Sequence, residues 1–202
     1  VRETTFRLDH YLEIEPGYYD KVYRRGRGVQ WFWHHQRLRL VESKLPADCK
    51  SLLDLGCGPG TFLGNLARPV ESALGIDLAE PQIAYAREHY PRPGFEFRVA
   101  DVRDAALEQR FDTVVSIEVI EHLPPGEVGG FLRDAYAVLR PGGHLILSTP
   151  NAKSLWPLLE WLVSRVGPVD YGQQHLGLFD RKGLVRAVAA VGFEPVSAET
   201  IF

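Results

Sequence analysis

The stretch Ser51-Leu52-Leu53-Asp54-Leu55-Gly56-Cys57-Gly58-Pro59-Gly60 constrains the fold more than any other part of the chain. Leu52, Leu53 and Leu55 form an apolar run without alternation, which marks a strand buried on both faces. Such strands belong to parallel sheets covered by helices on either side. The run ends in Gly56, Gly58 and Gly60, which let the backbone turn sharply and approach a bound group that a Cβ would hold off. Residues 61–67 then read as the start of a helix, whose N-terminal N–H groups would face that ligand.

The downstream chain repeats this rhythm. Residues 73–78, 95–101, 111–117 and 144–149 read as further apolar strands. Helices are expected at 81–90, opened by Pro81, and at 127–139, closed by the turn Arg140-Pro141-Gly142-Gly143. An amphipathic helix over 179–191, stopped by Gly192, and a last strand over 194–201 complete the pattern. Strands alternating with helices at this interval predict a Rossmann-like, doubly wound α/β fold with a mostly parallel sheet of six to seven strands.

The first 48 residues lack these strand signals and read as a helical N-terminal cap. Gly17-Tyr18-Tyr19-Asp20 is an aromatic turn or short helix, and residues 24–28 a loop. Trp31, His34, Leu38, Val41 and Leu45 recur at helical spacing, and the cap's aromatics are expected mostly in the core. A chain of 202 residues holds one well-packed domain, here 49–202, with a lid-like insertion at about 152–178. Within that insertion residues 154–166 are apolar around most of the circumference. They form either a buried helix or a lid that closes over a hydrophobic substrate or touches a membrane surface peripherally.

A formal net charge of -3 gives no electrostatic case for binding nucleic acid or anionic membrane, although Arg24, Arg25, Arg27, Arg37 and Arg39 form a local basic group. Two cysteines, Cys49 and Cys57, are too few for a disulfide framework or a zinc ribbon; Cys57 fits the turn as a small, partly buried side chain. No run of 18 apolar residues and no signal-peptide core is present, so a soluble, cytoplasmic protein is expected.

In an open α/β sheet the ligand lies outside the carboxyl ends of the strands, at the switch point. This sequence puts Gly56–Gly60, Asp77, Asp101 and Glu118 at successive strand ends, so all converge on one crevice. Asp77 follows the glycine turn by about 20 residues, where an acid accepts the hydroxyls of a ribose. Each acid alone could equally cap a helix.

These residues resemble the class I S-adenosylmethionine (SAM)-dependent methyltransferases over roughly residues 50–200. The resemblance rests on Asp54-Leu55-Gly56-Cys57-Gly58-Pro59-Gly60, Gly75-Ile76-Asp77-Leu78, Val99-Ala100-Asp101-Val102 and Leu139-Arg140-Pro141-Gly142-Gly143. It implies SAM as cofactor, with Asp77 on the ribose, Asp101 on the adenine amine and Gly56, Gly58 and Gly60 against the methionine part. Its full contact set is Asp54, Gly56, Cys57, Gly58, Gly60, Asp77, Leu78, Asp101, Val102 and Glu118. An acidic set suits a sulfonium and an ammonium better than a pyrophosphate, and the glycines run GxGxG rather than GxGxxG. Arg37, His35 or a tyrosine of the cap is expected to meet the methionine carboxylate.

Ser116-Ile117-Glu118-Val119-Ile120-Glu121-His122, Ser148-Thr149-Pro150-Asn151 and His175-Leu176-Gly177-Leu178-Phe179 together resemble the O-methyltransferases of ubiquinone biosynthesis. The Glu-x-x-Glu-His run is also similar to that of small-RNA 2′-O-methyltransferases, which hold a divalent metal with it. On a helical turn Glu118, Glu121 and His122 would share one face and, with His175, offer ligands for Mg²⁺, Mn²⁺ or Zn²⁺. The alternative is that these letters serve packing and SAM contact with no metal, and His122 is then the general base. The expected acceptor is an apolar small molecule such as a phenol, quinol or secondary metabolite. An RNA acceptor and a non-catalytic SAM-binding protein are the alternatives. In the resembled family the sheet ends with a sixth and an antiparallel seventh strand. An edge left unpaired there would favour a homodimer.

Overall fold

Leu52 and Leu53 are neighbours in one strand, point to opposite faces, and are both fully buried. In the computed structural model, which describes residues 11–12, 14–103, 107, 109–153, 177 and 179–200, each belongs to a different half of the core. Leu52 packs with Phe62, Leu63, Ile83 and Ala86; Leu53 packs with Val114, Phe131, Leu132 and Ala135. That double burial is the reason the strand shows no alternation. Cutting either leucine back to alanine removes about 2–5 kcal/mol of stability.

The strands are β1 (Ser51–Leu55), β2 (Ser72–Asp77), β3 (Phe95–Val99), β4 (Phe111–Ile117) and β5 (Leu139–Ser148). They form one sheet in the order β3-β2-β1-β4-β5, and every pair is parallel. The helices are α1 (Tyr18–Arg24), α2 (Val29–Ser43), α3 (Thr61–Gly64), α4 (Glu80–His89), α5 (Val128–Ala137) and α6 (Arg181–Ala189). From β1 the chain steps outward through β2 to β3, then returns to the other side of β1 for β4. The switch point therefore lies between the carboxyl ends of β1 and β4.

Several sequence expectations change here. The described residues contain a sheet of five strands rather than six to seven. Residues 194–200 form no strand: Pro195 offers no N–H and Val196 is 90% exposed, so the segment has neither a full ladder of donors nor a buried face. Helix α3 stops after one turn, where the Asn65 side-chain amide donates to the Thr61 carbonyl at 2.8 Å. Strand β5 starts at Leu139, which pairs with Phe111, while His144 pairs with Thr113. Arg140-Pro141-Gly142-Gly143 is thus an irregularity inside a ladder, with Gly142 at φ 79°, rather than a turn ahead of it.

In the N-terminal helices the aromatics are not the core. Phe32 is 47% exposed, and Tyr18, Tyr19, Tyr23, Trp31 and Trp33 are half-buried. The buried positions are Asp20, Val22, His34 and Val41. Asp20 is sealed because it accepts hydrogen bonds from Arg24 Nε (2.7 Å), the Tyr85 hydroxyl (2.9 Å) and the Tyr90 hydroxyl. It fastens α1 to α4. The lid-like segment over 154–166 and His175 lie outside the described residues.

Candidate functional site

At the end of β1 the backbone turns through Gly56, Gly58 and Gly60, with φ of 79°, 51° and 75°. Two of these glycines serve internal packing. A Cβ on Gly56 would sit 2.4 Å from Val119 Cγ2, and one on Gly60 would sit 2.8 Å from the Phe97 ring. Gly58 differs, since among the described residues only the Tyr11 hydroxyl, at 3.6 Å, comes near its Cβ position. Cys57 fills the turn as a buried side chain, and burial pushes its thiol well above its usual range. Asp54 is 1% exposed and its Oδ1 has no hydrogen-bond partner among the described residues. Burial, followed by the nearby charge of Asp77, lifts its carboxyl to about 8.

Asp77 closes β2 beside this turn. Its Oδ2 accepts from the Gly58 N–H at 2.8 Å and from the Tyr11 hydroxyl at 2.9 Å, and its Oδ1 accepts from the Ala79 N–H at 2.9 Å. Burial raises its pKa in spite of these donors. Leu78 follows it, half-buried. Asp101 lies two residues past β3. Arg103 grips both carboxylate oxygens through Nε (2.9 and 3.1 Å) and reaches on to Glu127 at 2.9 Å. The Arg103 bonds outweigh the desolvation of Asp101 and hold its pKa below the ordinary value. Val102 is buried in the core beneath. Asp54, Cys57, Asp77 and the glycine turn are therefore contiguous.

Glu118 follows β4 and is the one non-glycine residue at positive φ, 57°, among the described residues. That conformation costs a residue of this kind about 1–2 kcal/mol. Its N–H donates to the Ser148 carbonyl at 3.0 Å, and its Oε1 accepts from Ser148 Oγ at 2.7 Å. Its Oε2 lies 3.3 Å from Arg37, whose side chain is 12% exposed. Arg37 also donates to His34 Nδ1 at 2.8 Å, and its Nε is buried without a partner among the described residues. Burial, then the Arg37 charge, drives His34 down to about 3, so it stays neutral and accepts. His35 faces elsewhere, stacked with Tyr23 and Trp31 at centroid distances of 5.6 and 5.2 Å.

The Glu-x-x-Glu-His run is not a regular helical turn. Only Ile120–His122 is helical, as a single 3₁₀ turn, and Glu118 stands outside it in the left-handed region. Glu121 is fully buried: Oε2 accepts from Thr149 Oγ1 at 3.0 Å, and Oε1 has no partner within hydrogen-bonding distance among the described residues. Burial, and then Glu118 beside it, pushes its carboxyl well above the usual range. His122 Nε2 is 4.0 Å from that Oε1, with its side chain 30% exposed. No group of three or more His, Cys, Asp or Glu suited to a metal exists among the described residues. A cleft of about 970 Å³ opens beside Arg37 and Glu118 and follows β5, walled by Trp33, Leu40, Leu147 and Val188. No helix among the described residues is long and apolar enough to cross a membrane.

Sequence reasoning missed Tyr11, Asp20 and Gln82. Nothing in the local pattern marks their roles, because the partner of Tyr11, the Gly17 N–H held by Gln82 and the Tyr85 hydroxyl on Asp20 are each 65 or more residues away, and of these bonds only the Asp20–Arg24 pair is local.

The family model described as "Methyltransferase domain" matches residues 23–198. A ubiquinone biosynthesis O-methyltransferase from Xanthomonas euvesicatoria is 38% identical over 119 residues, covering 57% of this chain and 49% of that protein. One from Paramagnetospirillum magneticum is 33% identical over 170 residues, covering 75% of this chain and 66% of the relative. The chain thus spans about half to two thirds of the length of these curated relatives. Among solved structures, magnesium protoporphyrin IX methyltransferase from Synechocystis with bound SAH superposes with a TM-score of 0.65 at 21% identity. That match covers 87% of this chain and 82% of the other, and shows the shared fold. The glycine turn, the acids at the strand ends and the family match agree: the chain belongs to the class I SAM-dependent methyltransferases.

Proposed function

We propose that this chain transfers a methyl group from SAM to a hydroxyl oxygen of an apolar small molecule, a phenol or quinol being the model acceptor. The observation that carries the reading is His122, partly exposed beside the buried carboxyl of Glu121. A neutral imidazole there is suited to take the proton that the acceptor hydroxyl loses as the ether forms.

The cofactor fits what the residues offer. The orphaned, buried Oδ1 of Asp54 calls for a donor, which an ammonium would supply. Gly58 keeps the floor of the crevice open, and Asp77 presents a carboxylate beside it for a ribose. Asp101, oriented by Arg103, is suited to an adenine amine. Arg37, already paired with Glu118, has its unpartnered Nε for a methionine carboxylate. Leu78 and Val102 flank these acids, and Cys57 backs the turn. When bound, SAM supplies an electrophilic methyl on a sulfonium, so the protein has mainly to align the groups and exclude water. The apolar cleft beside Glu118 and the curated relatives' names support an apolar acceptor. We also read 1–48 as a helical cap and 49–202 as the catalytic domain.

Radiolabelled SAM incubated with phenol, quinol and RNA acceptors tests this. Transfer to a phenol or quinol is expected, undiminished after EDTA treatment and reduced by roughly 10²–10⁴-fold in His122→Ala. Transfer to RNA alone, or none to any acceptor while SAM still binds, would overturn the small-molecule reading. Full activity in His122→Ala would remove His122 from the chemistry.

A further inference from the structure

Tyr11 enters the crevice from the N-terminal segment and donates its hydroxyl to Asp77 Oδ2 at 2.9 Å. Among the described residues, the same hydroxyl is the sole atom near the open side of Gly58. It therefore stands at the carboxylate that the proposed function gives to the ribose, and over the floor that only a glycine leaves open.

The hydrogen-bonding capacity of Asp77 limits how many donors it can hold at once. A carboxylate has about four lone-pair sites. At least three are in use, by the N–H groups of Gly58 and Ala79 and by Tyr11, and the Leu78 N–H also bears on the carboxylate. A ribose diol brings two donors. The backbone N–H groups are fixed by the glycine turn and by the start of α4, so Tyr11 is the donor that can leave.

The neighbouring chain is built so that it can. Gln82, 2% exposed, accepts from the Gly17 N–H at 3.0 Å and donates to the Ile14 carbonyl at 3.2 Å, which pins residues 14–17 to α4. Gly17 is held against Tyr85, whose ring would lie 2.2 Å from a Cβ there. Tyr11 lies ahead of this anchor, its carbonyl accepting from the Ile14 N–H at 3.2 Å, so only its side chain has to turn away for the anchor to hold.

We infer that Tyr11 is a placeholder for a ribose hydroxyl, and that its side chain leaves Asp77 when the nucleoside of the cofactor binds. The phenol satisfies a buried carboxylate in the unliganded protein and competes with the cofactor for it. Burial and the Asp77 charge hold the phenol well above its usual pKa, so it remains a donor throughout the physiological range.

This inference rests on the ribose reading of Asp77, and titration calorimetry with SAH and with its 2′-deoxyribose analogue separates the two. In Tyr11→Phe, SAH should bind roughly tenfold tighter, the equivalent of one charge-assisted hydrogen bond that only the unliganded protein holds. That gain should shrink for the 2′-deoxy analogue, which brings one donor fewer. Unliganded Tyr11→Phe should melt below the parent protein, and the two should melt together when saturated with SAH. Unchanged affinity would overturn the inference, and weaker binding would make Tyr11 a cofactor ligand instead. Should Tyr11→Phe, in which no phenol can stand in for the missing hydroxyl, bind SAH and the 2′-deoxy analogue equally well, the ribose reading itself fails.

Discussion

Two aspartates on neighbouring parallel strands, at opposite ends of the sheet, are treated in opposite ways. Asp112, near the amino end of β4, accepts from the Lys50 N–H (3.0 Å), the Ser51 N–H (2.8 Å) and Ser51 Oγ (3.0 Å), and pairs with Arg140. Burial works against its charge, yet Arg140 and the Ser51 and Lys50 groups hold its carboxyl down at about 2. Asp54, near the carboxyl end of β1, has an oxygen without a partner and a carboxyl lifted to about 8. At one end of the sheet the aspartate has both oxygens satisfied and stabilises the fold. The other end keeps buried acids short of partners and a glutamate in a strained conformation, which is the signature of a surface prepared for a ligand.

Removing the satisfied end should do the most damage to stability. Asp112→Ala strands two backbone N–H groups and Arg140, and should lower stability by about 3 kcal/mol in a urea melt. The half-exposed Arg140 keeps the loss below the sum of the separate bonds. The sign with pH comes from a depressed native pKa. The contribution is complete above the ordinary carboxylate value of 3.8 and is lost as pH falls toward 2. The parent protein should thus lose its advantage over Asp112→Ala across that window. A constant difference down to pH 2 would show that packing, not charge, carries the effect.

The opposite end should respond with the opposite sign. A buried acid whose native pKa is raised destabilises the fold progressively as pH rises from 3.8 toward 8. Asp54→Asn should therefore stabilise the unliganded protein by roughly 1–2 kcal/mol at pH 8 and have little effect near pH 4. In the same variant SAM affinity should fall, because a neutral amide replaces the partner proposed for the ammonium. SAM binding by the parent protein should tighten as pH approaches 8, since a cation favours the ionised carboxylate. A variant both less stable and unchanged in affinity would place Asp54 among the structural residues.

This contrast also marks how far the sequence could be read. The strands were legible because Leu52 and Leu53, or Val114 and Val115, record burial on both faces in the order of residues alone. The acids at the strand ends were legible because topology brings strand ends together without any side-chain detail. Tyr11, Gln82 and the role of Asp20 in holding Tyr85 were not, because a hydrogen bond spanning 65 or more residues leaves no periodicity. The early start of β5 was hidden for another reason. Arg140-Pro141-Gly142-Gly143 has the composition of a turn, yet the pairing of Leu139 with Phe111 continues the ladder across it. The expected strand over 194–201 failed where Pro195 and an exposed Val196 offered local apolar character without a face to bury.

The smallest expected effect isolates the strain at Glu118. Its φ of 57° is held by the Ser148 hydroxyl and carbonyl and by the ion pair with Arg37, so deleting the side chain mixes several losses. Comparing Glu118→Gly with Glu118→Ala cancels them, since both variants lose the carboxylate and leave Arg37 equally unpaired. Glycine adopts positive φ without a Cβ clash but loses more backbone entropy on folding, whereas alanine keeps the clash. At this position the clash outweighs the entropy, so the glycine variant should be the more stable by about 1 kcal/mol. Both should lose methyl transfer to the same degree if the carboxylate is what the site requires. An alanine variant as stable as the glycine one would mean that the backbone relaxes out of the left-handed region once Arg37 and the Ser148 hydroxyl release it. The strain would then be imposed by those two contacts rather than by the end of β4 itself.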